Sequence, residues 1–252
     1  MPDQLEGRNA VREALKANRD ILEIFMLSSA KERGLDELLQ LAHERQIPVK
    51  RVDRQKLDQI SSTDRHQGII AIVPAYEYAT LDELIRKGKE KPDSMILLLD
   101  GIEDPHNLGS ILRSAEVFGA TGVVIPKRRA AGVTPTVAKV ASGALEHIPV
   151  AQVSNLTEAI KTLKKQRYWI AGGDGESQVK VMDQDLTGST GLVIGSEGKG
   201  ISRLVREQCD YLVKIPMAGQ TGSLNASVAA GILLYEIFCQ QQSSSKGSGV
   251  NL

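Results

Sequence analysis

The chain has 252 residues, of which 41% are hydrophobic and 25% charged, a composition typical of globular proteins and unlike that of disordered or collagen-like chains. Lysine plus arginine and aspartate plus glutamate each total 31, so the formal net charge is zero. This balance excludes binding driven by an overall positive charge, and any contact with RNA or DNA must come from a local cluster of cations.

The first residues carry no sign of a targeting segment. The start, MPDQLEGRNAVREAL, is charged where a signal peptide would be apolar, and no apolar run is long enough to span a bilayer. The two cysteines, Cys209 and Cys239, belong to no CxxC motif or cysteine–histidine cluster, which argues against a disulfide framework and a zinc site. We therefore expect a soluble, cytoplasmic protein without membrane contact.

Residues 1–75 are predicted to form a small α/β domain, because helical and strand patterns alternate there. The predicted strands are ILEIFML, PVKRV and GIIAIVP, and the predicted helices are EGRNAVREALKAN, GLDELLQLAHERQ and DRQKLDQI. Residues 76–94 are polar around one short helical pattern, which predicts a linker.

Residues 95–241 are predicted to form a second, larger α/β domain. Its strands MILLLD, GVVIPK, HIPVAQV, YWIAGG, TGLVIGS and YLVKIP are separated by helical patterns. Nearly continuous apolar strands between helices indicate a parallel sheet covered on both faces, as in doubly wound folds. The polar tail, residues 242–252, has nothing to bury and is expected to be disordered.

Three strands of this second domain run into glycine and small polar residues instead of plain turns. The stretches are LLLDGIEDPHNLGSILRSAEVFG, LVIGSEGKGIS and IPMAGQTGSLNASVAAG. Ligands of open α/β sheets bind at the carboxyl ends of strands, so these loops are predicted to build one site. The loops contain GxxGxG at Gly195, Gly198 and Gly200, but neither GxGxxG nor GxxxxGK[ST], which disfavours a Rossmann dehydrogenase or a P-loop NTPase.

The polar residues of these loops each have a purely structural interpretation beside a functional one. Asn107 and Asn225 could simply be helix N-caps, as could Ser223 and Ser227, and Glu197 could complement a helix dipole. Arg113 lies nearly opposite the apolar stripe of its helix, where it could be a solvated charge. Val117, one turn further on, shares that outward face and suggests that a second subunit covers it.

The three stretches resemble, in order, the three motifs of the SpoU/TrmH (SPOUT) superfamily of RNA ribose 2'-O-methyltransferases, which use S-adenosyl-L-methionine (AdoMet). The motifs hold Asn107 to Arg113, Glu197, and Ser223 to Asn225. The first domain resembles the ribosomal-protein-like (L30e-like) substrate-binding module of one branch, through GRNAVREAL and His66-Gln67-Gly68. The pairing most resembles the RlmB type, which methylates a guanosine of 23S rRNA.

The resemblance implies features that spacing alone does not show. It implies a Rossmann-like parallel sheet with a trefoil knot at its carboxyl end, a homodimer, AdoMet as cofactor and 23S rRNA as partner, without a metal. The implied catalytic residues are Asn107, Arg113, Glu197, Ser223 and Asn225, and the implied cofactor-binding residues are Gly195, Ile215 and Leu224. Because arginine keeps its proton, we expect Arg113 to act on a phosphate and on the developing alkoxide instead of as a base.

The candidate RNA-binding residues are cations of local clusters. They are Lys127, Arg128 and Arg129, in a stretch from 117 to 145 without acids that also contains Lys139, together with Arg8, Arg12, Arg65 and Lys199. Each could equally be a solvated surface charge. Because aromatic residues make up only 4% of the chain, recognition through shape and phosphates is favoured over stacking on an aromatic platform.

Three other hypotheses stay open at this point. The chain could methylate another rRNA nucleotide or a tRNA, or it could be a catalytically silent RNA-binding factor of ribosome assembly with the same fold. The presence of Asn107, Arg113, Glu197 and Asn225 argues against a silent factor. A nucleotide-dependent oxidoreductase is opposed by the glycine spacing.

Overall fold

The computed structural model describes residues 3–28, 35–61, 66–219 and 222–247. The chain divides into two compact units. The first contains Met1–Glu77 and Val133–His147, and the second contains Tyr78–Gly132 and Ile148–Leu252.

The first unit is built on a four-stranded sheet in the order β1-β4-β2-β3, in which β2 and β3 are parallel and the other neighbours antiparallel. Its elements in residues 1–77 are β1 (Asp3–Glu6), α1 (Arg8–Lys16), β2 (Glu23–Leu27), α2 (Asp36–Glu44), β3 (Val49–Val52), α3 (Arg54–Ile60) and β4 (Ile69–Val73). The three predicted strands and three predicted helices are confirmed. Strand β1 was missed because DQLE has only one apolar residue, and its pairing with β4 makes it a strand.

The second unit contains a six-stranded sheet in the order β10-β8-β9-β5-β6-β7, and all five neighbouring pairs are parallel. The elements from residue 81 onward are α4 (Leu81–Gly88), β5 (Met95–Asp100), α5 (Pro105–Val117), β6 (Gly122–Pro126), α6 (Pro135–Ala141), β7 (Val150–Val153), α7 (Leu156–Lys165), β8 (Trp169–Gly173), β9 (Thr190–Gly195), α8 (Arg203–Arg206), β10 (Tyr211–Val213) and α9 (Ala226–Gly247). The predicted parallel sheet is confirmed.

Helices cover both faces of this sheet, as in a doubly wound fold. On one face α4, α7 and α8 share a core with the strands, which includes Leu84, Ile160, Ile170 and Val205. On the other face α5 and α9 pack against each other, with α5 against β6 and α9 against β9. The apolar stripe predicted for α5 is buried there, since Leu108, Ile111, Leu112 and Ala115 are each 0% exposed.

Residues 76–94, predicted to be a linker, belong largely to the second unit instead. Helix α4 begins with a capping box, in which Thr80 Oγ1 accepts from Glu83 N and the Glu83 carboxylate accepts from Thr80 N. Leu84 and Ile85 are buried in the core under α7. The short apolar stripe of α4 is thus a packing surface, which its polar surroundings in the sequence concealed.

The segment Val133–His147, which the sequence placed inside the predicted domain 95–241, lies in the first unit. It contains α6, which packs on β1. Lys139 Nζ is 3.6 Å from the buried carboxylate of Glu6, and Glu146 accepts a hydrogen bond of 2.7 Å from Arg19. The domain boundaries 1–75 and 95–241 stay a prediction. The first unit, however, contains residues from both predicted domains.

The last helix is longer than the sequence predicted. The expected disordered tail began at residue 242, whereas α9 continues to Gly247, and residues 248–252 lie outside the described part. Gln240 Oε1 accepts from Leu186 N at 2.9 Å, and Gln241 Nε2 donates to Gly188 O at 3.0 Å. These two side-chain amides hold the carboxyl-terminal part of α9 in place, where the sequence becomes polar. In the described ranges, no helix is both long and apolar enough to cross a bilayer.

Candidate active site at the carboxyl edge of the sheet

The carboxyl ends of four neighbouring strands lie together in the second unit. Asp100 at the end of β5 pairs with Gly195 at the end of β9, and Gly173 at the end of β8 pairs with Val213 at the end of β10. Parallel strands place their following loops at one edge of a sheet. The three stretches singled out in the sequence therefore meet at this edge.

A cavity of about 560 Å³ opens between these loops. Gly195, Ile215 and Leu224 all line it, and Glu197 and Ser223 lie on its wall. Its apolar part also includes Ile194, Val213 and Leu233. The implied cofactor-binding residues are thus brought to one cavity that is large enough for a nucleoside-sized ligand.

The loop after β8 contributes lining residues that sequence reasoning missed. Asp174 and Glu176 lie on the cavity wall, with Arg206 of α8 beside them. Asp174 Oδ2 accepts from Arg206 Nε at 2.7 Å, and Asp174 Oδ1 accepts from Glu176 N at 2.9 Å. The sequence contains a signal for this loop as well. WIAGGDGES places glycines and small polar residues directly after an apolar strand, as the other three stretches do.

The loop after β9 is a tight turn that closes on itself. Ser196 N donates to Gly200 O at 3.1 Å, and Gly200 N donates to Ser196 O at 2.9 Å. A Cβ on Gly195 would lie 2.1 Å from the carbonyl carbon of Gly200, so only glycine fits there. In the structure this glycine makes room for the backbone of its own loop at Gly200 and Ile201.

Asn107, Glu197 and Asn225 form a hydrogen-bonded cluster beside the cavity. Glu197 Oε1 accepts from Asn107 Nδ2 at 2.9 Å, from Asn225 Nδ2 at 2.5 Å and from Ala226 N at 3.2 Å. Asn225 Nδ2 also donates to Asn107 Oδ1 at 2.9 Å. The sequence motifs of α5, the β9 loop and α9 are thus joined, although 118 positions separate Asn107 from Asn225.

The cap interpretation is correct for Asn225 and wrong for Asn107. Asn225 Oδ1 accepts from Ser227 N at 2.9 Å and from Val228 N at 3.3 Å, so it caps α9. Asp104 caps α5 instead of Asn107, because the helix begins two residues earlier than predicted, at Pro105. Asn107 lies in the first turn of α5, with its amide free to join the cluster.

The double role of Asn225 predicts a stability defect for Asn225→Ala. The substitution removes the cap of α9 and one of the donors to Glu197. Loss of a side-chain cap costs about 1 kcal/mol, which lowers the melting temperature of a protein of this size by roughly 2–4 °C. Differential scanning calorimetry should show this decrease for Asn225→Ala and a smaller one for Asn225→Ser, which retains a capping oxygen without placing a second carboxylate against Glu197.

Ser223 lies on the cavity wall with an exposed side chain, and within the described residues its hydroxyl has no hydrogen-bond partner. Of the implied catalytic residues that line the cavity, Glu197 is held by hydrogen bonds and Ser223 is not, within the described residues. The structure therefore leaves its hydroxyl available to a ligand.

Arg113 stands apart from the cluster. It lies six residues after Asn107 on α5, which places it roughly 9 Å further along the helix and about 120° around it. It is exposed, it does not line the cavity, and the described part of the chain offers its guanidinium no partner. Within one chain, Arg113 is therefore an outward-facing cation.

The candidate RNA-binding cations fall into two groups. Lys127, Arg128, Arg129 and Lys199 are exposed, and the Arg8 side chain is half-buried. Two others are engaged within the protein: Arg12 Nε lies 3.5 Å from Glu37, and Lys139 approaches Glu6. Arg65 lies outside the described residues.

The surroundings of the cavity offer little for covalent or metal chemistry. Burial raises the pKa of the Cys209 thiol to about 12, so it stays protonated at neutral pH and is a poor nucleophile. Across the described ranges, no three histidine, cysteine, aspartate or glutamate side chains gather in a way that could hold a metal ion. The side chains present are suited to binding and orienting ligands.

Two family profiles match the sequence. The profile of the SpoU rRNA Methylase family matches residues 94–235, which span the strands and loops of the cavity. The profile for RNA 2'-O ribose methyltransferase substrate binding matches residues 4–79. Together they cover both parts of the chain that the sequence separated.

Relatives of known sequence and structure agree with these profiles. The chain is 48% identical over 237 residues to YacO of Bacillus subtilis, named as a TrmH family tRNA/rRNA methyltransferase, with 94% of this chain and 95% of YacO covered. It is similar to the SpoU methyltransferase AviRb of Streptomyces viridochromogenes, with a TM-score of 0.82, 27% identity and coverage of 96% and 91%. AviRb in complex with AdoMet gives a TM-score of 0.80 at 26% identity, covering 95% of this chain and 90% of AviRb.

Proposed function

The chain belongs to the SpoU rRNA methylase family, and we propose that it methylates the ribose 2'-hydroxyl of a guanosine in 23S rRNA, as the RlmB type does, with AdoMet as methyl donor. Membership of this family makes the chain an RNA methyltransferase. The observation that carries the proposal is the meeting of Asn107, Glu197 and Asn225 beside one cavity. In this proposal the enzyme works in the cytoplasm, without a metal.

The cavity suits AdoMet in size and in the chemistry of its wall. Ile194, Ile215 and Leu224 offer apolar contact and main-chain groups for an adenine. The carboxylates of Asp174 and Glu176 lie on the same wall and suit a cationic ligand. When bound, AdoMet supplies an electrophilic methyl group on a sulfonium.

The residues of the chain would then orient the hydroxyl and stabilise the charge that develops on it. The cluster fixes Glu197 through one carboxylate oxygen, while in the described part of the chain Oε2 accepts no hydrogen bond. Glu197 Oε2 and the hydroxyl of Ser223 are therefore available to substrate or cofactor. Such a transfer breaks the sulfur–methyl bond, forms the oxygen–methyl bond and releases the hydroxyl proton. The enzyme must therefore align the reacting groups and assist removal of that proton from a neutral hydroxyl.

A homodimer is the second element of the proposal, and it gives Arg113 a role. Val117 of α5 and Val228, Ile232 and Tyr235 of α9 are exposed by 64%, 49%, 39% and 54%. The three α9 residues recur at the spacing of one helix face, and Val117 lies one turn beyond Arg113. A second copy would cover this apolar strip and bring Arg113 into the partner's site.

We predict that Ile232→Asp separates the dimer. Ile232 is partly exposed in one chain, so the substitution leaves the fold intact but buries an unpaired carboxylate in the interface. The expected cost of about 3 kcal/mol would raise the dimer dissociation constant roughly 100-fold. Sedimentation equilibrium checks this, with Leu22→Asp, at a residue exposed by 54% in the first unit, as the control. A monomeric wild type, or an unchanged dimer in Ile232→Asp, would refute the interface.

The trefoil knot is a further part of the proposal. It is supported by the contacts of α9 with the connection between β8 and β9, through Gln240 to Leu186 and Gln241 to Gly188. In a knotted chain, the last helix passes through a loop formed by earlier residues. These bonds would hold α9 where it has passed.

The first unit would provide the RNA contacts of an L30e-like substrate-binding module. This assignment is supported by the profile match over residues 4–79. Its elements also order part of the predicted motif: His66 Nε2 lies 2.8 Å from Asp58 Oδ1, and His66 Nδ1 accepts from Gly68 N at 3.0 Å. The candidate phosphate contacts are Arg8 in this unit and the exposed Lys127, Arg128, Arg129 and Lys199 in the second unit.

The substrate is tested by mapping 2'-O-methyl groups in the RNA of a strain that lacks the gene for this protein. The proposal predicts that one guanosine of 23S rRNA loses its ribose methyl group and regains it on complementation. Loss of a methyl group at another rRNA nucleotide or in tRNA would replace the proposed substrate and leave the enzyme class intact. An unchanged methylation map would refute both the substrate and the activity in the cell.

A further inference from the structure

The single tryptophan of the chain is exposed at the edge of the sheet opposite the candidate active site. Trp169 is the first residue of β8 and is 55% exposed. Its ring lies 5.8 Å from that of Tyr211, the first residue of the neighbouring β10. Parallel strands begin at the edge away from their carboxyl ends, so this aromatic pair is separate from the cavity. An exposed indole that packs against a half-buried tyrosine ring suggests a ligand.

Helix α7 ends four residues before Trp169, and cations follow at this edge of the sheet. The end of α4 packs against Tyr168, since a Cβ on Gly88 would lie 2.1 Å from its hydroxyl oxygen. Tyr168 immediately precedes Trp169, and its hydroxyl donates to Ser94 Oγ at 2.7 Å. The exposed cations at the end of α7 are Lys165 and Arg167.

The chain just before Trp169 is positively charged. Residues 164–167, KKQR, hold three cations and no acid. Asp210, beside the start of β10, is compensated, because its carboxylate lies 2.8 Å from Lys164 Nζ and accepts from Ile170 N at 2.9 Å. Lys165 and Arg167 have no such partner among the described residues.

We propose that this surface, formed by Lys165, Arg167, Trp169 and Tyr211, binds a single-stranded segment of the substrate RNA. An exposed indole flanked by cations fits a base stacked on the ring, with its neighbouring phosphates on the ammonium and guanidinium groups. An apolar protein segment fits less well, because it would desolvate the cations without compensation. The inference rests on the proposed function only in that the substrate is RNA.

Low aromatic content argued against recognition by stacking, but one exposed ring is sufficient for one base. A stacked base contributes roughly 1–3 kcal/mol, which corresponds to about a 5- to 150-fold change in affinity. Each phosphate contact to single-stranded RNA adds about 0.7 to the slope of log affinity against log salt. Loss of the stacked base therefore appears as a lower affinity, whereas loss of a phosphate contact appears as a weaker dependence of affinity on salt.

The first test uses the fluorescence of Trp169 in the full-length protein. Because the chain has one tryptophan, any change of indole emission reports on this surface. A uridine decamer titrated at low salt should quench the emission, and the quenching should disappear as salt is raised. Unchanged emission at saturating decamer, with binding shown independently by anisotropy, would overturn the proposal.

The second test compares variants in RNA binding and methylation. Trp169→Ala should raise the Kd for 23S rRNA about ten-fold, and Lys165→Gln with Arg167→Gln should lower the salt slope by about 1.4. The Kd for AdoMet and kcat should stay as in the wild type. Lys161→Gln is the matched control, since Lys161 lies on the same helix but its charge is already paired with Glu158.

The outcomes separate this inference from the proposed function. If the wild type transfers methyl groups to rRNA while Trp169→Ala and the double variant bind RNA like the wild type, the surface is not an RNA site. If Trp169→Ala changes the sedimentation of the protein but not its RNA affinity, the surface is a contact between copies and the proposal is wrong. A wild type that binds and quenches with RNA but transfers no methyl group would refute the proposed function alone.

Discussion

Arg113→Ala should lower the single-turnover rate of rRNA methylation by about 100-fold or more while leaving the affinity for AdoMet nearly unchanged. Arg113 does not line the cavity, so its loss removes no cofactor contact from its own chain. Its place beside the exposed apolar strip would bring the guanidinium to the substrate in the partner's site. There it would stabilise the developing alkoxide and a phosphate of the RNA.

Arg113→Lys and a sedimentation measurement make this prediction specific. Lysine should restore only part of the rate, because a point charge lacks the planar, bidentate geometry of a guanidinium. Near-normal turnover of Arg113→Ala would show that Arg113 is a solvated surface charge. If Arg113→Ala is a monomer, the lost activity reports assembly instead of chemistry. If it is a dimer, its catalytic role is tested further by mixing it with an inactive Glu197→Ala chain.

That mixing experiment follows from the proposed exchange of residues between subunits. A heterodimer of the two inactive variants contains one site that has both a native Arg113 and a native Glu197, if each site takes these residues from different chains. With random assortment, half of the dimers are heterodimers, and each has one working site out of two. About a quarter of the wild-type activity should therefore be recovered. No recovery above the background of the separate variants would place both residues in the same chain's site.

The second large effect is expected for Gly195→Ala. A methyl group at this position would lie 2.1 Å from the carbonyl carbon of Gly200 and 2.3 Å from Ile201 N. Backbone atoms cannot yield to that approach without opening the turn, and the turn forms one wall of the cavity. We expect the Kd for AdoMet to rise at least about 100-fold, with a larger loss for Gly195→Val.

Isothermal titration calorimetry with AdoMet measures this effect. The matched control is Gly219→Ala, since a Cβ on Gly219 would meet nothing within 4 Å and Gly219 does not line the cavity. It should bind AdoMet like the wild type. Unchanged affinity in Gly195→Ala would mean that the cofactor binds elsewhere.

The sheet of the second unit could be predicted because its strands are nearly uniform apolar runs, such as MILLLD and GVVIP. A strand buried on both faces must be apolar at every position, and this pattern is visible without any partner. Strand β1 and the packing of helix α4 in the core could not be predicted in the same way. DQLE becomes a strand only through β4, and the two buried positions of α4, Leu84 and Ile85, are outnumbered by polar neighbours.

The candidate site was predictable only in its parts. Three loops after three strands indicated where the site lies, because parallel topology fixes which ends meet. The hydrogen bonds that join Asn107, Glu197 and Asn225 depend on how far each loop reaches, which spacing does not encode. Likewise the segment Val133–His147 and the exposed pair of Trp169 and Tyr211 are products of tertiary packing.

The most direct test of the account is transfer of labelled methyl groups from AdoMet to 23S rRNA by the purified full-length protein, followed by digestion of the RNA to nucleosides. The account predicts that the label appears in 2'-O-methylguanosine and that Glu197→Ala abolishes it. Label on a base instead of a ribose, or no AdoMet-dependent transfer to either rRNA or tRNA, would contradict it.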